Sequence, residues 1–246
     1  MRKTDIVVGV DGSPASWDAL YWAVHEAYRW RADLHVVTVD TRSTDDRLAR
    51  MVADARRLEP SVRITGHLIR GGGVAALRCR MLVVGGAGGF SAEIAAHATV
   101  PVVVVRGRLG SEESPIVIGV DGSAGAEAAL AVGLGEARLR GPTVIAAFAY
   151  GSAGHPWLGR PLGGGSVHCS AYAAVETAVT PWQDKFPWVS VETMTTAEQP
   201  LPVLTGLSSH AQLLVVGAQG HDASESLGSV PARLMHRAHC PVMIVR

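Results

Sequence analysis

Residues 6–13 read IVVGVDGS, and residues 116–123 read IVIGVDGS. This near-identity within a chain of 246 residues indicates that one structural unit occurs twice. In each copy a short apolar run ends in Val-Asp-Gly-Ser, which is typical of a buried strand that turns into a helix. We expect Ser13 to cap that helix and Pro14 to occupy its first position.

Two further matches follow in the same order. LVVG at 82–85 corresponds to LLVVG at 213–217, and VPVVVVR at 100–106 corresponds to CPVMIVR at 240–246. Together the three matches predict a duplication of about 110–130 residues per copy. The polar stretch RGRLGSEESP at 106–115 carries glycine and proline and is interpreted as the linker.

Apolar strand-like runs alternate with helical segments in both copies. The predicted strands are 6–10, 34–39, 62–69, 81–84 and 102–105 in the first copy, and 116–120, 144–149, 189–194, 213–216 and 242–245 in the second. This alternation favours an α/β fold with parallel sheets covered by helices on both faces. Right-handed crossovers make each sheet doubly wound, and ligands then bind at the carboxyl ends of the strands, where the strand order reverses. We place the domains at residues 1–108 and 114–246.

The bulk composition narrows the partners and the compartment. Lys plus Arg equals Asp plus Glu at 22 each, so no overall charge attracts the chain to nucleic acid or to an anionic membrane. The N-terminal segment is too quickly interrupted to be a signal peptide, and no apolar run is long enough to span a bilayer. Three widely spaced cysteines indicate no disulfide framework. A cytoplasmic location is expected.

Two aspartates end the first strand of their copies. Asp11 and Asp121 each stand in V-D-G-S, at the strand end that faces the predicted crevice. Such a carboxylate accepts hydrogen bonds from a ribose hydroxyl or a base amine. It equally suits a turn in which the carboxylate accepts from the following backbone amides. The residues alone leave both interpretations open.

A glycine-rich loop follows the fourth strand of the second copy. Gly217 and Gly220 form a G-x-x-G pattern, and Gly228-Ser229 opens the next helix. Glycines allow close approach to a ligand, and amides at a helix N-terminus hold phosphate. A loop whose glycines only make turns is the alternative.

The first copy carries a shortened version of this loop. Gly85 and Gly88 match the G-x-x-G, but 12 residues separate Gly88 from Pro101, against 20 between Gly220 and Pro241. No Gly-Ser follows. The first copy is therefore predicted to have an impaired phosphate site.

Neither a metal site nor a catalytic grouping emerges from the sequence. His236, His239 and Cys240 form H-x-x-H-C, but no acidic residue lies near as a third ligand, and helix-end histidines are the simpler interpretation. No G-x-S-x-G, G-x-x-x-x-G-K-[ST] or strand-linked G-x-G-x-x-G occurs. We therefore expect no catalytic residues and no protein-held metal.

The segment 151–172, absent from the first copy, is either a functional lid or a disordered insertion.

These landmarks together resemble the universal stress protein family in its tandem form. The resemblance rests on V-G-V-D-G-S, V-V-G-x-x-G, Gly-Ser and C-P-V-x-x-V-R, and it covers nearly the whole chain twice. It implies five parallel strands per unit in the order 3-2-1-4-5. It also implies pairing of the two units through their final strands, 102–105 and 242–245, and possible homodimers.

The resemblance further implies ATP, with Mg²⁺ accompanying the nucleotide, as the ligand of members with G-x-x-G-x9-G-[ST]. The residues carried over to the second copy are Asp121, Ala149, Gly217, Gly220, Gly228 and Ser229. Those carried over to the first copy are Asp11, Val39, Gly85 and Gly88. Ala149 and Val39 would face the adenine. Seven residues, not nine, separate Gly220 from Gly228.

Two functions follow as hypotheses. The first is a stress regulator, not an enzyme, that binds ATP mainly through the second copy. The second is a degenerate member that binds no ATP and serves as a scaffold for dimerisation or partners, which the shortened loops favour. Nucleotide-hydrolase relatives require motifs after the first strand that are absent here.

Overall fold

The structure is a computed structural model. It describes residues 1–39, 45–69, 78–86, 89–141, 143–151, 155–158, 167–221 and 227–246. The chain divides into two compact units, residues 1–106 and residues 107–246.

The polar stretch 106–115 is attached to the second unit over most of its length. The amide of Arg108 donates to the carbonyl oxygen of His239 over 2.9 Å. The side-chain amide of Gln212 donates to the carbonyl oxygen of Glu112 over 3.2 Å. Because these bonds tie the stretch to the second unit, the boundary falls directly after residue 106.

The first unit is a five-stranded parallel sheet with helices between its strands. Its elements are β1 (Ile6–Gly9), α1 (Pro14–Trp30), β2 (Leu34–Val39), α2 (Asp45–Leu58), β3 (Ile64–Ile69), β4 (Met81–Gly85), α3 (Gly89–His97) and β5 (Val102–Val105). The strand order is β3-β2-β1-β4-β5. Val8 of the central strand pairs with Val36 on one side and Val83 on the other, both in parallel.

The second unit repeats this topology. Its elements are β6 (Ile116–Gly119), α4 (Ala124–Arg140), β7 (Thr143–Ala149), a 3-10 turn (Pro156–Leu158), α5 (Val167–Gln183), β8 (Ser190–Thr196), α6 (Pro200–Leu207), β9 (Leu213–Gly217), α7 (Ser229–Arg237) and β10 (Val242–Val245). The order β8-β7-β6-β9-β10 again corresponds to 3-2-1-4-5. The predicted fold class is confirmed. The pairing of the units through their final strands stays a prediction.

The central strands are apolar on both faces because helices cover both sides of each sheet. In β6, for example, Ile116, Val117 and Ile118 are all fully buried. In each unit the strand order across the sheet changes direction between the first strand and the fourth. Ligand crevices of doubly wound sheets lie at this switch point.

The V-D-G-S motif forms the turn from the first strand to the first helix in both units. Gly12 and Gly122 have φ angles of +82° and +78°, a conformation that favours glycine. The Ser13 hydroxyl then accepts a hydrogen bond from the amide of Ser16 as the N-cap of α1, with Pro14 in the first turn. Ser123 caps α4 in the same way. The predicted cap is confirmed.

Among the described residues, no helix has both the length and the apolarity that a transmembrane span requires.

A hydrogen-bonded histidine pair joins the neighbouring strands β2 and β3 of the first unit. His35 contacts His67 through ring nitrogens 3.0 Å apart, and its other nitrogen lies 3.0 Å from Asp5. Burial, together with the charge of His35, holds the pKa of His67 below its usual 6.5. Burial alone would raise the pKa of Asp5, but hydrogen bonds from Arg2 and His35 outweigh it, so the pKa lies below 3.8.

Both shifts predict that the first unit loses stability on acidification. Because its folded-state pKa is lowered, His67 binds fewer protons in the folded state than in the unfolded state just below pH 6.5. Its contribution is complete above pH 6.5 and is lost as pH falls through the folded-state pKa, whereas that of Asp5 is lost only below pH 3.8. We expect His67→Gln to flatten the decline in unfolding free energy between about pH 7 and pH 5. Urea unfolding across this range measures it, with the exposed neighbour Leu68→Gln as control. An unchanged slope in His67→Gln would contradict the assignment.

Candidate functional site

The second unit contains a cavity of about 520 Å³ at the carboxyl ends of β6, β7 and β9. It therefore lies at the switch point of the sheet, where the fold places ligands. Its lining includes all six residues predicted for this copy: Asp121, Ala149, Gly217, Gly220, Gly228 and Ser229. The volume falls within the range of about 300–1,000 Å³ that small-molecule sites occupy.

Asp121 has the turn role that its sequence context allowed, and its role in holding a ligand stays a prediction. Its Oδ1 accepts hydrogen bonds from the amide of Ser123 over 3.0 Å and from the hydroxyl of Ser123 over 2.6 Å. The turn is thus satisfied by one carboxylate oxygen. The other, Oδ2, points toward Gly220 at the cavity lining, where it lies 2.9 Å from the position that a Cβ of Gly220 would take.

The first glycine of the G-x-x-G pattern is required by the fold itself. A Cβ on Gly217 would lie 2.6 Å from the carbonyl carbon of Gly125, at the start of α4. A Cβ on Gly125 would in turn lie 2.3 Å from the carbonyl oxygen of Gln219. These are contacts with backbone, which cannot rotate away as a side chain can. Gly217 therefore lines the cavity, but close packing of β9 against α4 accounts for its missing side chain.

Gly228 has no such packing requirement. It is the N-cap of α7, with φ −60° and ψ 156°, a conformation open to any residue. A Cβ there would meet its nearest atom, the Ala218 carbonyl oxygen, at 3.4 Å, an ordinary contact. No side chain caps the helix. The amides of Ser229 and Val230 in its first turn have no acceptor within the helix, and both residues line the cavity. Such a helix end attracts anions.

The opposite wall is apolar and formed by small side chains. Ala147 and Ala149 come from β7, Leu204 from α6 and Val216 from β9. Gly119 also lines the cavity beside these side chains. A Cβ at this position would lie 3.2 Å from Val216 and 3.3 Å from Leu204, which is a tight contact. The cavity therefore has an apolar side that suits a flat ring and a polar side that suits an anion.

Part of the 151–172 insertion lies at this cavity. The Trp157 ring lies directly over Gly122, and its centroid is 4.8 Å from that of Phe148. His155 and Pro156 line the cavity itself. The last residues of the insertion begin α5, which starts at Val167. Residues 155–157 of the insertion thus pack at the edge of the cavity.

The sequence analysis missed the histidines of this site. His155 and His221 line the cavity, and their ring centroids are 5.1 Å apart. The His221 ring nitrogen Nε2 lies 2.7 Å from the carbonyl oxygen of Asp121. Burial lowers the pKa of His155, nearby Asp121 opposes this, and His221 adds to it. The sequence did contain a signal for His155. The insertion that carries His155 follows the Ala149 strand end almost directly, so it had to begin at the predicted crevice.

The cysteine of the H-x-x-H-C pattern, Cys240, is not placed as a metal ligand. Cys240 is buried, its Sγ donates to the carbonyl oxygen of Pro241 over 3.4 Å, and burial raises the pKa of its thiol to about 12. It remains a protonated thiol at neutral pH, which is a poor metal ligand.

The corresponding end of the first unit is built differently. Residues 86–88 alone join β4 to α3, whereas residues 218–228 join β9 to α7, so the first unit lacks the long loop. A Cβ on Gly85 would lie 2.5 Å from the carbonyl oxygen of Ala15, the same packing restriction as at Gly217. Gly88 lies outside the described residues.

The predicted Asp11 and Val39 occupy the strand ends expected of them. Val39 ends β2 and pairs with Ile69, as Ala149 ends β7. The Asp11 side chain accepts from the amide of Ser13 over 2.8 Å. The Arg47 guanidinium donates to the carbonyl oxygen of Asp11 over 2.7 Å, and its side chain lies over Gly12. A cation from α2 thus takes the place that Trp157 takes in the second unit.

A doubly wound parallel sheet with an open crevice at its switch point is typical of nucleotide-binding α/β proteins. The model of the universal stress protein family matches residues 3–68 and 114–246, more than half of the chain, and the chain belongs to this family. In the first unit the match ends at residue 68, before the shortened loop.

Relatives that this chain matches along nearly their whole length occur in mycobacteria. The chain is 26% identical over 299 residues to universal stress protein Rv1996 of Mycobacterium tuberculosis, covering 98% of this chain and 94% of that protein. It is 27% identical over 289 residues to universal stress protein Rv2005c of the same organism, covering 100% and 98%. A universal stress protein structure from Archaeoglobus fulgidus is similar with a TM-score of 0.68 at 14% identity, covering 100% of this chain and 99% of that one. That likeness supports the fold.

Proposed function

We propose that the second unit binds ATP as a regulatory ligand and that the protein acts in a stress response without being an enzyme. The observation that carries this proposal is the cavity at the switch point, which brings all six predicted residues to one place. Its apolar wall fits the adenine ring, and the uncapped start of α7 fits the phosphates. Mg²⁺ accompanies the nucleotide and neutralises phosphate charge.

Binding would act by ordering the site. The ligand would contact the loops after β6, β7 and β9 and the start of α7 at the same time, and so would add to the contacts that already link them. A ligand that favours one arrangement of these loops shifts the population toward it. A changed surface around the crevice is then available to a partner.

A second function is favoured by the short loop. Only seven residues, 221–227, separate Gly220 from Gly228, and the first unit has only residues 86–88 in the equivalent connection. A chain that cannot reach the phosphates would serve as a scaffold for dimerisation or partner binding. This alternative predicts no nucleotide affinity in either unit.

Calorimetric titration of the full chain with ATP and Mg²⁺ distinguishes the two functions. We expect saturable binding at one site per chain, accompanied by a rise in the thermal unfolding midpoint. GTP serves as the matched control because it carries the same phosphates on a different base. Absence of both heat and thermal shift up to millimolar ATP would refute nucleotide regulation and leave the scaffold. Two equal sites would show that the first unit also binds.

A further inference from the structure

Three metal-ligating side chains meet at the mouth of the second unit's cavity. Asp121, His155 and His221 each offer one ligand atom, and these atoms all lie within 4.8 Å of one another. They follow β6, β7 and β9, which are neighbours in the sheet order β7-β6-β9. Among the described residues, they are the one group of three or more such side chains that meets this criterion.

One ring nitrogen of His221 is engaged by the backbone. Its Nε2 donates to the backbone carbonyl of Asp121 over 2.7 Å, which leaves Nδ1 of the neutral ring unprotonated. Metal-bound histidines characteristically donate their other N–H to a carbonyl or carboxylate, which fixes the tautomer and the ring orientation. This hydrogen bond also ties the His221 loop to the Asp121 turn.

The ring of His155 is fixed by packing. It lies edge-on to Phe148, with centroids 5.0 Å apart, and edge-on to His221 at 5.1 Å. Its Nδ1 accepts a long hydrogen bond, 3.3 Å, from the amide of Trp157. Coordination through Nε2 shifts the ring proton to Nδ1 and costs that one weak bond.

We propose that Asp121, His155 and His221 form a site for a divalent transition-metal ion of the zinc class. Two imidazoles and one carboxylate suit Zn²⁺, Co²⁺ or Ni²⁺, whereas Mg²⁺ and Ca²⁺ prefer oxygen ligands alone. Tetrahedral Zn²⁺ places its ligand atoms roughly 3.3 Å apart, so the three side chains close inward by about 1.5 Å or less on binding. The fourth position opens into the cavity, which all three residues line.

All three proposed metal ligands are side chains of the protein, so metal binding requires no nucleotide. The site nevertheless adjoins the cavity in which we propose that the nucleotide binds. Asp121 belongs to both, so an ion there changes how the carboxylate meets a ligand in the cavity. The ion's fourth position accepts water or an oxygen atom of that ligand. A metal at this place would therefore couple nucleotide affinity to metal availability, a consequence that rests on the proposed function.

The test is a titration of the metal-free full chain with Zn²⁺ in the absence of nucleotide, followed by competition with a chromophoric chelator. A Cys169→Ser background removes the exposed thiol of the insertion as a competing ligand. We expect one site per chain and at least about a 10-fold loss of affinity in His155→Gln and in His221→Gln. His210→Gln, an exposed histidine outside the cavity, is the matched control and leaves affinity unchanged.

Co²⁺ substitution supplies a second readout. Bound Co²⁺ should give visible absorption bands of a nitrogen- and oxygen-ligated ion without a thiolate charge-transfer band, and both histidine variants should lose these bands while keeping their circular dichroism. Zn²⁺ affinity that is equal in wild type and both variants, or an absence of stoichiometric binding, would overturn the proposal. Because the titration contains no ATP, its failure leaves the nucleotide proposal untouched, and the reverse also holds.

Discussion

A Gly228→Asp variant is expected to lose ATP binding while it retains its fold. The backbone of Gly228 is extended, and a Cβ there makes only ordinary contacts with Ala218 and Pro231. Asp is among the preferred N-cap residues, so the variant helix is at least as stable as the native one. The new carboxylate, however, takes up the first-turn amides that we assign to the phosphates.

Charge adds to this competition. A carboxylate held about 4 Å from a phosphate charge costs several kcal/mol at the effective dielectric constant of a protein surface, so we expect ATP affinity to fall by about 100-fold or more. Calorimetric titration with ATP and Mg²⁺ measures the loss, and urea unfolding without ligand verifies the fold. Gly228→Ala is the matched control, because it adds the Cβ without charge and should retain binding within about 10-fold. Wild-type affinity in Gly228→Asp would place the phosphates elsewhere.

A Gly217→Ala variant is expected to have the opposite profile, with a damaged fold as its primary effect. The added Cβ would lie 2.6–2.9 Å from three backbone atoms of Gly125, so β9 and α4 must move apart. Overpacking of this kind lowers the free energy of unfolding by about 1–3 kcal/mol, and more where only backbone can yield. Any weakening of ATP binding then follows from the displaced loop.

Gly206→Ala provides the comparison for this change. Gly206 is exposed in α6 and a Cβ there meets nothing within 4 Å, so the same methyl group should raise stability by about 0.5–1 kcal/mol through helix propensity. Urea unfolding of the two variants and the wild type measures both effects. Equal stability of Gly217→Ala and Gly206→Ala would show that the strand and the helix separate without cost.

The two glycines show which part of the site could be predicted from the sequence. Gly217, Gly220 and Gly228 of the G-x-x-G and Gly-Ser patterns all line the cavity, and their role in binding stays a prediction. The pattern alone could not distinguish a glycine that close packing requires from a glycine beside an open anion site. That distinction depends on which atoms of the folded chain lie next to the glycine. The partner of Gly217 is Gly125, which lies 92 residues earlier in a different motif.

Strand positions were predicted closely for a simple reason. A strand buried on both faces is a continuous apolar run, so 102–105 and 242–245 match the observed strands at both ends, and 34–39 matches as well although His35 and Thr38 interrupt its apolar run. Half-exposed strands gave weaker patterns: 189–194 was predicted, whereas β8 covers Ser190–Thr196, where buried and exposed residues do not alternate clearly. Pairing with β7 determines where that strand ends.

The sequence by itself determined the duplication, the parallel sheet and the location of the crevice, because these depend on patterns repeated locally in the chain. Only the tertiary structure brought Asp121, His155 and His221 together, since adjacent parallel strands deliver residues far apart in sequence to one edge. It also placed residues 155–157 of the insertion at the cavity: His155 and Pro156 line it, and Trp157 packs against Phe148 and over Gly122. Such contacts depend on shape and burial, which composition and spacing do not encode.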